Sequence, residues 1–236
     1  VLVYMLAIGP VVATGYSLFI VGMSSLVGAA RYMKKGEVDL RMTVIFGSSS
    51  IVAVYLTRKL LVPAIPEHLF ELGSFALTRD IAIMVLFAIL MLVASYFMIR
   101  PMKEPTAAKS KVRYNVPVIL LQGLVIGLLA GLVGAGGGFI IIPVLVLFSG
   151  MKMKNAIGTS LSIIAVNSLI GFLGDVQNHT IDWAFLLIFS ALSIVGIIFG
   201  TWLTQHIPSK KLKPAFGWFV LIMGIFILGK EILFST

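Results

Sequence analysis

The chain has 236 residues, 59% of them hydrophobic and only 11% charged, a formal net charge of +9 and no cysteine. Its mean hydropathy is +1.09. Soluble domains carry about 25% charged residues, so this composition excludes a soluble globular domain, and the missing cysteines exclude disulfides, thiol catalysis and Cys-ligated metals. An all-α polytopic membrane protein is expected, with about seven spans of ~20 residues each, including one broken, re-entrant glycine-rich segment. Lys and Arg fall mainly in short loops between apolar runs. Orientation in the bilayer explains them better than nucleic acid does, so the lipid bilayer is an expected partner and nucleic acid is not.

In chain order, residues 1–9 are apolar and short, like the end of a span. The chain opens at Val1 with no signal-peptide pattern, and we expect that it lacks its natural start. Residues 10–30 form a span rich in Gly and Ser, and 31–41 a loop with four basic residues. A span follows over 42–62, with Ser48-Ser49-Ser50 inside it and Arg58-Lys59 near its end; both cations are expected to snorkel to the interface, against the alternative that they attract anions at a mouth. Residues 63–78 read as a loop containing Pro63, Pro66, Glu67 and Glu71, and 79–99 as a strongly apolar span. The stretch 100–114 carries five basic residues against one acid and reads as a cytoplasmic linker between two halves, 1–99 and 115–236. Residues 115–150 are nearly unbroken apolar sequence, too long for one span and interrupted at Gly134–Gly138. A basic turn, a span over 156–174, a polar loop 175–182 without Lys or Arg, a span over 183–206, a turn with three lysines and a last span over 214–234 complete the chain.

The halves repeat. Shifting the chain by 143 positions matches eight of sixteen residues between 13–28 and 156–171, among them Gly15/Gly158, Ser17/Ser160, Ser25/Ser168 and Gly28/Gly171, and sets Asp39 on Asp182. Loop 31–41 is basic and its equivalent 175–182 is not, so the basic-inside tendency turns the halves upside down relative to each other. The remaining basic loops agree if 115–150 enters and returns to the same side. Inverted-topology repeats of this kind build transporters, with the site near the bilayer midplane where the repeats meet.

Three features make up the candidate substrate site. Gly136, Gly137 and Gly138 release the backbone from helical geometry, and Pro143 is accepted early in a following helix, so a half-helix is expected to start near 139–143 with its free N–H groups toward an anion. Close helix packing by small residues is the competing reading. The stretch with Thr159 and Ser160 and its repeat partner with Thr14 and Ser17 are expected to meet face to face and donate hydroxyls, against the alternative that each hydroxyl bonds its own helix. Asn167 lies about two turns beyond Ser160, on nearly the same face, and lines the pathway or bonds a neighbouring helix; for Gln122 the second role is favoured. All nine acids fall in loops or near span ends. A neutral, donor-rich pathway suits a small anion and argues against a cation transporter. His68, His179 and His206 lie in loops or at span ends, which leaves no catalytic constellation, metal site or cofactor site; no enzyme is expected.

The stretches GLLAGLVGAGGGFIIIPVL (127–145), NAIGTSLSIIAVNSLIG (155–171) and PVVATGYSLFIVGMSSLVGA (10–29) resemble the sulfite exporter TauE/SafE family, the YfcA-like transport proteins, over essentially the whole chain. The family's glycine-rich motif ahead of VLVYML is missing here, which leaves the first half-site incomplete. The resemblance implies export of a small sulfur-containing anion, sulfite or an organosulfonate such as sulfoacetate, across a bacterial inner membrane. An anion channel or a membrane assembly factor is the alternative. Substrate, coupling ion and oligomeric state do not follow from the sequence.

Overall fold

The structure is a computed structural model and describes residues 10–66, 68–72, 75–100, 114–133, 138–175 and 181–234. Helix α1 runs Pro10–Lys34. Helix α2 runs Leu40–Leu56, then widens into a π-helical turn, Thr57–Leu61, and closes with Val62–Ala64. Two short antiparallel strands, β1 (His68–Leu72) and β2 (Phe75–Thr78), occupy the stretch expected to be a loop. Then come α3 (Arg79–Ile99), α4 (Val116–Val133), α5 (Gly138–Leu147), α6 (Met153–Asp175), α7 (Trp183–His206) and α8 (Ser209–Phe234). Among the described residues, seven helical stretches are long and apolar enough to cross a membrane. Residues 1–9, the linker 101–113 and Gly136 and Gly137 lie outside the described residues.

Helix directions follow from close contacts. Along α1 and α6, Leu18 meets Gly171, Gly22 meets Leu169, Gly28 meets Leu161 and Tyr32 meets Gly158, so these helices are antiparallel. Along α2 and α4, Gly123 meets Phe46 and Ser49, Gly127 meets Ser50 and Ala53, and Gly131 meets Thr57 and Val54. These helices are parallel, and the glycines, four residues apart on one face, let the backbones close in. A Cβ at Gly127 would sit 2.5 Å from the Ser50 carbonyl oxygen. Helix α6 also runs parallel to α2, matching Ser50 with Asn167, Val54 with Gly171 and Arg58 with Gly174. Because α4 and α6 leave from the same end, the chain returns between them. Helix α5 is the described part of that return, and its ten residues reach about 15 Å, half the hydrocarbon thickness.

Segments related by the 143-residue shift exchange contacts reciprocally. Asp39 caps α2 by accepting from the Met42 N–H, and Asp182 caps α7 by accepting from the Phe185 N–H. The backbone N–H of Asp39 donates to the Thr159 hydroxyl at 2.9 Å, while that of Asp182 donates to the Tyr16 hydroxyl at 3.0 Å. Every residue in one set has its counterpart 143 positions away in the other. The Gly28–Leu161 and Leu18–Gly171 contacts form the same kind of pair.

Most of the described basic residues gather at one end. Arg31, Lys34, Lys35, Arg41, Lys152 and Lys154 lie at the end marked by Asp39. Met98 packs with Met153 and Leu212, which brings the C-terminal end of α3 and the start of α8 to that end as well. On the flanks of α7 and α8, Ile188, Leu192, Val195, Phe199, Phe219 and Ile222 are each more than half exposed. In water that surface would drive association; in a bilayer it is the lipid-facing side.

Candidate functional site

The parallel α2–α6 interface carries polar groups at three levels. At the Asp39 end, the Thr159 hydroxyl, fully buried, accepts the Asp39 N–H, and the Asp39 carboxylate accepts the Tyr114 phenol. The Arg41 guanidinium lies over the Tyr114 ring at 4.5 Å. The hydrogen bond to Asp39, with burial behind it, holds the Tyr114 phenol above its usual pKa.

At the middle level, the Asn167 amide donates to the Ser50 hydroxyl at 2.6 Å, and both side chains are wholly buried. The local sequence explains which serine of the run reaches it. Ser48 and Ser49 donate to carbonyls of their own helix, at Ile45 and Phe46, while Ser50 faces α6. Ser168, also wholly buried, and the second polar atom of the Asn167 amide have no hydrogen-bond partner among the described residues. Turning the amide by 180° keeps the Ser50 contact and presents two N–H donors in place of the carbonyl oxygen. The start of α5 arrives close by: a Cβ on Gly138 would lie 2.9 Å from Ile164, one helical turn before Asn167 and Ser168.

At the third level Arg58 is 1% exposed, set in the π-helical turn with Gly174 against its Cβ. The expectation that it snorkels fails, because Gly174 and the small face of α4 let the neighbouring helices close around it. Its neighbour Lys59 does reach the surface, where its ammonium donates to the Tyr55 hydroxyl.

The expected site residues divide as follows. Gly138 begins α5, but Pro143 is the sixth residue of that helix, buried in its middle, where it removes one backbone hydrogen bond instead of starting the helix. Asn167 lies in the polar layer described above. The Ser160 hydroxyl donates to the Ile157 carbonyl of its own helix. Thr14 and Ser17 do not meet Thr159 and Ser160. With α1 and α6 antiparallel, 14–17 lie beside the end of α6 near Phe172, and 159–160 beside the other end of α1 near Tyr32, about 20 Å apart along the pair. Residues related by the 143-residue shift meet only where the two helices cross, around Met23–Ser25 and Val166–Ser168. The reading from sequence gave Ser50 and Ser168 no role in the site. The Ser25/Ser168 identity was the available signal for the crossing, since a pair of equivalent serines marks it.

A family model described as sulfite exporter TauE/SafE matches residues 1–227. A probable membrane transporter protein of Xylella fastidiosa is 25% identical over 228 residues, 94% of this chain and 81% of its own length. The probable membrane transporter protein YunE of Bacillus subtilis is 26% identical over 190 residues, 75% of this chain and 66% of its own. The probable membrane transporter protein MJ0441 of Methanocaldococcus jannaschii is 31% identical over 117 residues; that match covers 47% of this chain and 44% of the relative. No solved structure matches. With the family model covering nearly the whole length and seven apolar helices to carry it across the bilayer, the chain is a multi-pass membrane protein and belongs to the sulfite exporter TauE/SafE family.

Proposed function

We propose that the protein moves a small oxyanion across the membrane, and that the anion binds where α1 and α6 cross, between Ser50, Asn167, Ser168 and the first N–H groups of α5. Two halves of opposite topology, 1–99 and 115–236, frame this site, and 100–114 joins them on the cytoplasmic side. The observation that carries the proposal is the wholly buried polar layer at the crossing: Asn167 on Ser50, with Ser168 beside it and hydrogen-bonding capacity to spare. Buried polar atoms in hydrocarbon are costly unless something binds them. Neutral donors and a helix start favour an anion without fixing its charge in place. Gly136 and Gly137 are assigned to the same site from sequence alone. The family description supports a sulfur-containing anion, sulfite or an organosulfonate such as sulfoacetate, and export from a bacterial cytoplasm across the inner membrane.

Uptake of labelled sulfite into proteoliposomes tests this reading. Saturable flux is expected, falling about tenfold or more in Asn167→Ala, the scale of one or two lost hydrogen bonds to an anion. Flux that rises linearly with concentration would make the protein a channel, and unchanged flux in Asn167→Ala would remove the site.

A further inference from the structure

The apolar flank of α7 is interrupted by one arginine from another helix. Arg31 lies inside the span Val12–Lys34, one turn before the end of α1. Helices α1 and α7 run parallel, since Tyr16 accepts the Asp182 N–H at one end and Tyr32 bonds Thr204 at the other. Arg31 reaches across to α7 and donates through Nη1 to the Ile198 carbonyl at 3.0 Å and the Thr201 hydroxyl at 3.2 Å. Ile198 is eight residues, about 12 Å, short of the α7 end at His206. Both acceptors are neutral. Among the described residues no carboxylate pairs with Arg31, Glu37 of the following turn included, and its Nε and Nη2 donors make no hydrogen bond. A cation at this depth, without an acid, needs an anion from outside the fold.

The surroundings of the guanidinium supply a second observation. Arg31 lines an open groove of about 470 Å³ together with Val195, Ile198, Phe199 and Trp202. Those four positions of α7 share one face by their three- and four-residue spacing. Val195, Phe199 and Trp202 are each more than half exposed, on the flank turned to lipid. Trp202 stacks near His206, with ring centroids 4.8 Å apart, at the end of the helix, where tryptophans settle at the membrane interface. Lys34 follows Arg31 by one turn on the same side of α1 and is exposed. The groove is thus apolar along its length and basic at its outer end.

We infer that this groove binds one anionic phospholipid, with its phosphodiester on Arg31 beside Lys34 and an acyl chain along Val195, Ile198 and Phe199. Charge selects the occupant. The planar fork of Arg31 fits two phosphate oxygens at once, and basic pockets between membrane helices take anionic headgroups in the same way. A zwitterionic lipid brings its own cation to a site that already holds two. A second copy of the chain docked through the same face would have to supply an acid, and α7 carries none. The site is separate from the crossing of α1 and α6, and it holds whether or not an anion is transported.

Fluorescence of Trp202 reads the groove directly. The chain has three tryptophans, so the full chain with Trp183→Phe and Trp218→Phe keeps Trp202 alone. It is placed in phosphatidylcholine nanodiscs that contain a minor fraction of either brominated phosphatidylglycerol or brominated phosphatidylcholine. Per mole, the brominated phosphatidylglycerol is expected to quench Trp202 about tenfold more effectively, the scale of one charge-assisted interaction. Arg31→Gln should bring the two lipids level. The comparison of lipids needs no change at Arg31, so it stands if that variant does not fold. Trp218, also more than half exposed, serves as the control in the chain with Trp183→Phe and Trp202→Phe, and equal quenching by the two lipids is expected there. The same preference at Trp218 would mean general attraction to a basic protein and overturns the inference. Equal quenching at Trp202 overturns it too, as does a preference that survives Arg31→Gln. A Trp202 that neither lipid quenches would show that protein covers the groove, which also overturns it.

Discussion

At the scale of single residues, the distinction that matters is between hydroxyls committed to their own helix and polar atoms left for a ligand. Ser160 and Ser162 donate to Ile157 and Gly158 of α6, and Ser24 to Val21 of α1. Ser168 and the outer face of the Asn167 amide are the ones left over at the crossing. Ser160→Ala is therefore expected to keep sulfite flux within about twofold, and Ser168→Ala to raise the half-saturating concentration by about tenfold, the worth of one hydrogen bond to an anion. Initial rates in proteoliposomes across a concentration series separate the two outcomes. The Tyr114–Asp39 pair gives a prediction in pH. The bond favours the neutral phenol, so the Tyr114 pKa is raised in the folded state and its contribution is complete below the ordinary tyrosine value, about 10. That contribution is lost as pH rises through the folded value. Melting curves between about pH 9 and 11.5 should show the wild type losing more stability than Tyr114→Phe, the ordinary tyrosine value lying within that range. Equal losses would mean that the bond adds nothing. Sequence reasoning reached Asn167 through helical spacing from Ser160. It could not choose among Ser48, Ser49 and Ser50, because only the facing helix decides which serine of a run points inward. Arg58 was misjudged for a related reason: next to Lys59 both cations look free to snorkel, and only the glycines of two other helices, far off in sequence, close the route for one of them.

At the scale of elements, two glycine devices do different things. Gly123, Gly127 and Gly131 give α4 a flat face that seats on α2 with backbone near backbone. Gly127→Leu is expected to prevent that seating at a cost of about 3 kcal/mol or more, the upper range for overpacking a tight contact. Size-exclusion chromatography of the detergent-extracted variant reads the outcome as loss of the monodisperse peak, and a wild-type profile would show that the stripe is dispensable. Gly138 instead brings the start of a half-length helix to the middle of α6. Helix number and the break in 115–150 were legible from apolar lengths and the glycine run. The face-to-face meeting of 13–17 with 156–160 was inferred from the 143-residue repeat and is not found. Equivalent positions on two antiparallel helices meet only at the crossing, and the sequence carries no direct measure of where along the helices that point falls. Contacts set it near Ser24 and Asn167, about ten residues from the stretches chosen.

For the whole molecule, the arrangement is a polar line through an apolar body. Asp39 and Thr159 close one end of the α2–α6 interface, Ser50 and Asn167 occupy the middle, and Arg58 closes the other end. Basic residues gather around the Asp39 end, and the broad apolar flanks of α7 and α8 are exposed as a lipid-facing surface is. The central claim is that the crossing of α1 and α6 is an anion site open to water from at least one side. The chain has no cysteine, so Ser168→Cys places a single thiol at that point. Its rate of modification by a charged, water-soluble thiosulfonate reagent in membranes, with and without saturating organosulfonate, is the most direct test. Modification slowed by the organosulfonate is the predicted result; a thiol that does not react from either side, or that reacts at the same rate with the anion present, contradicts the account.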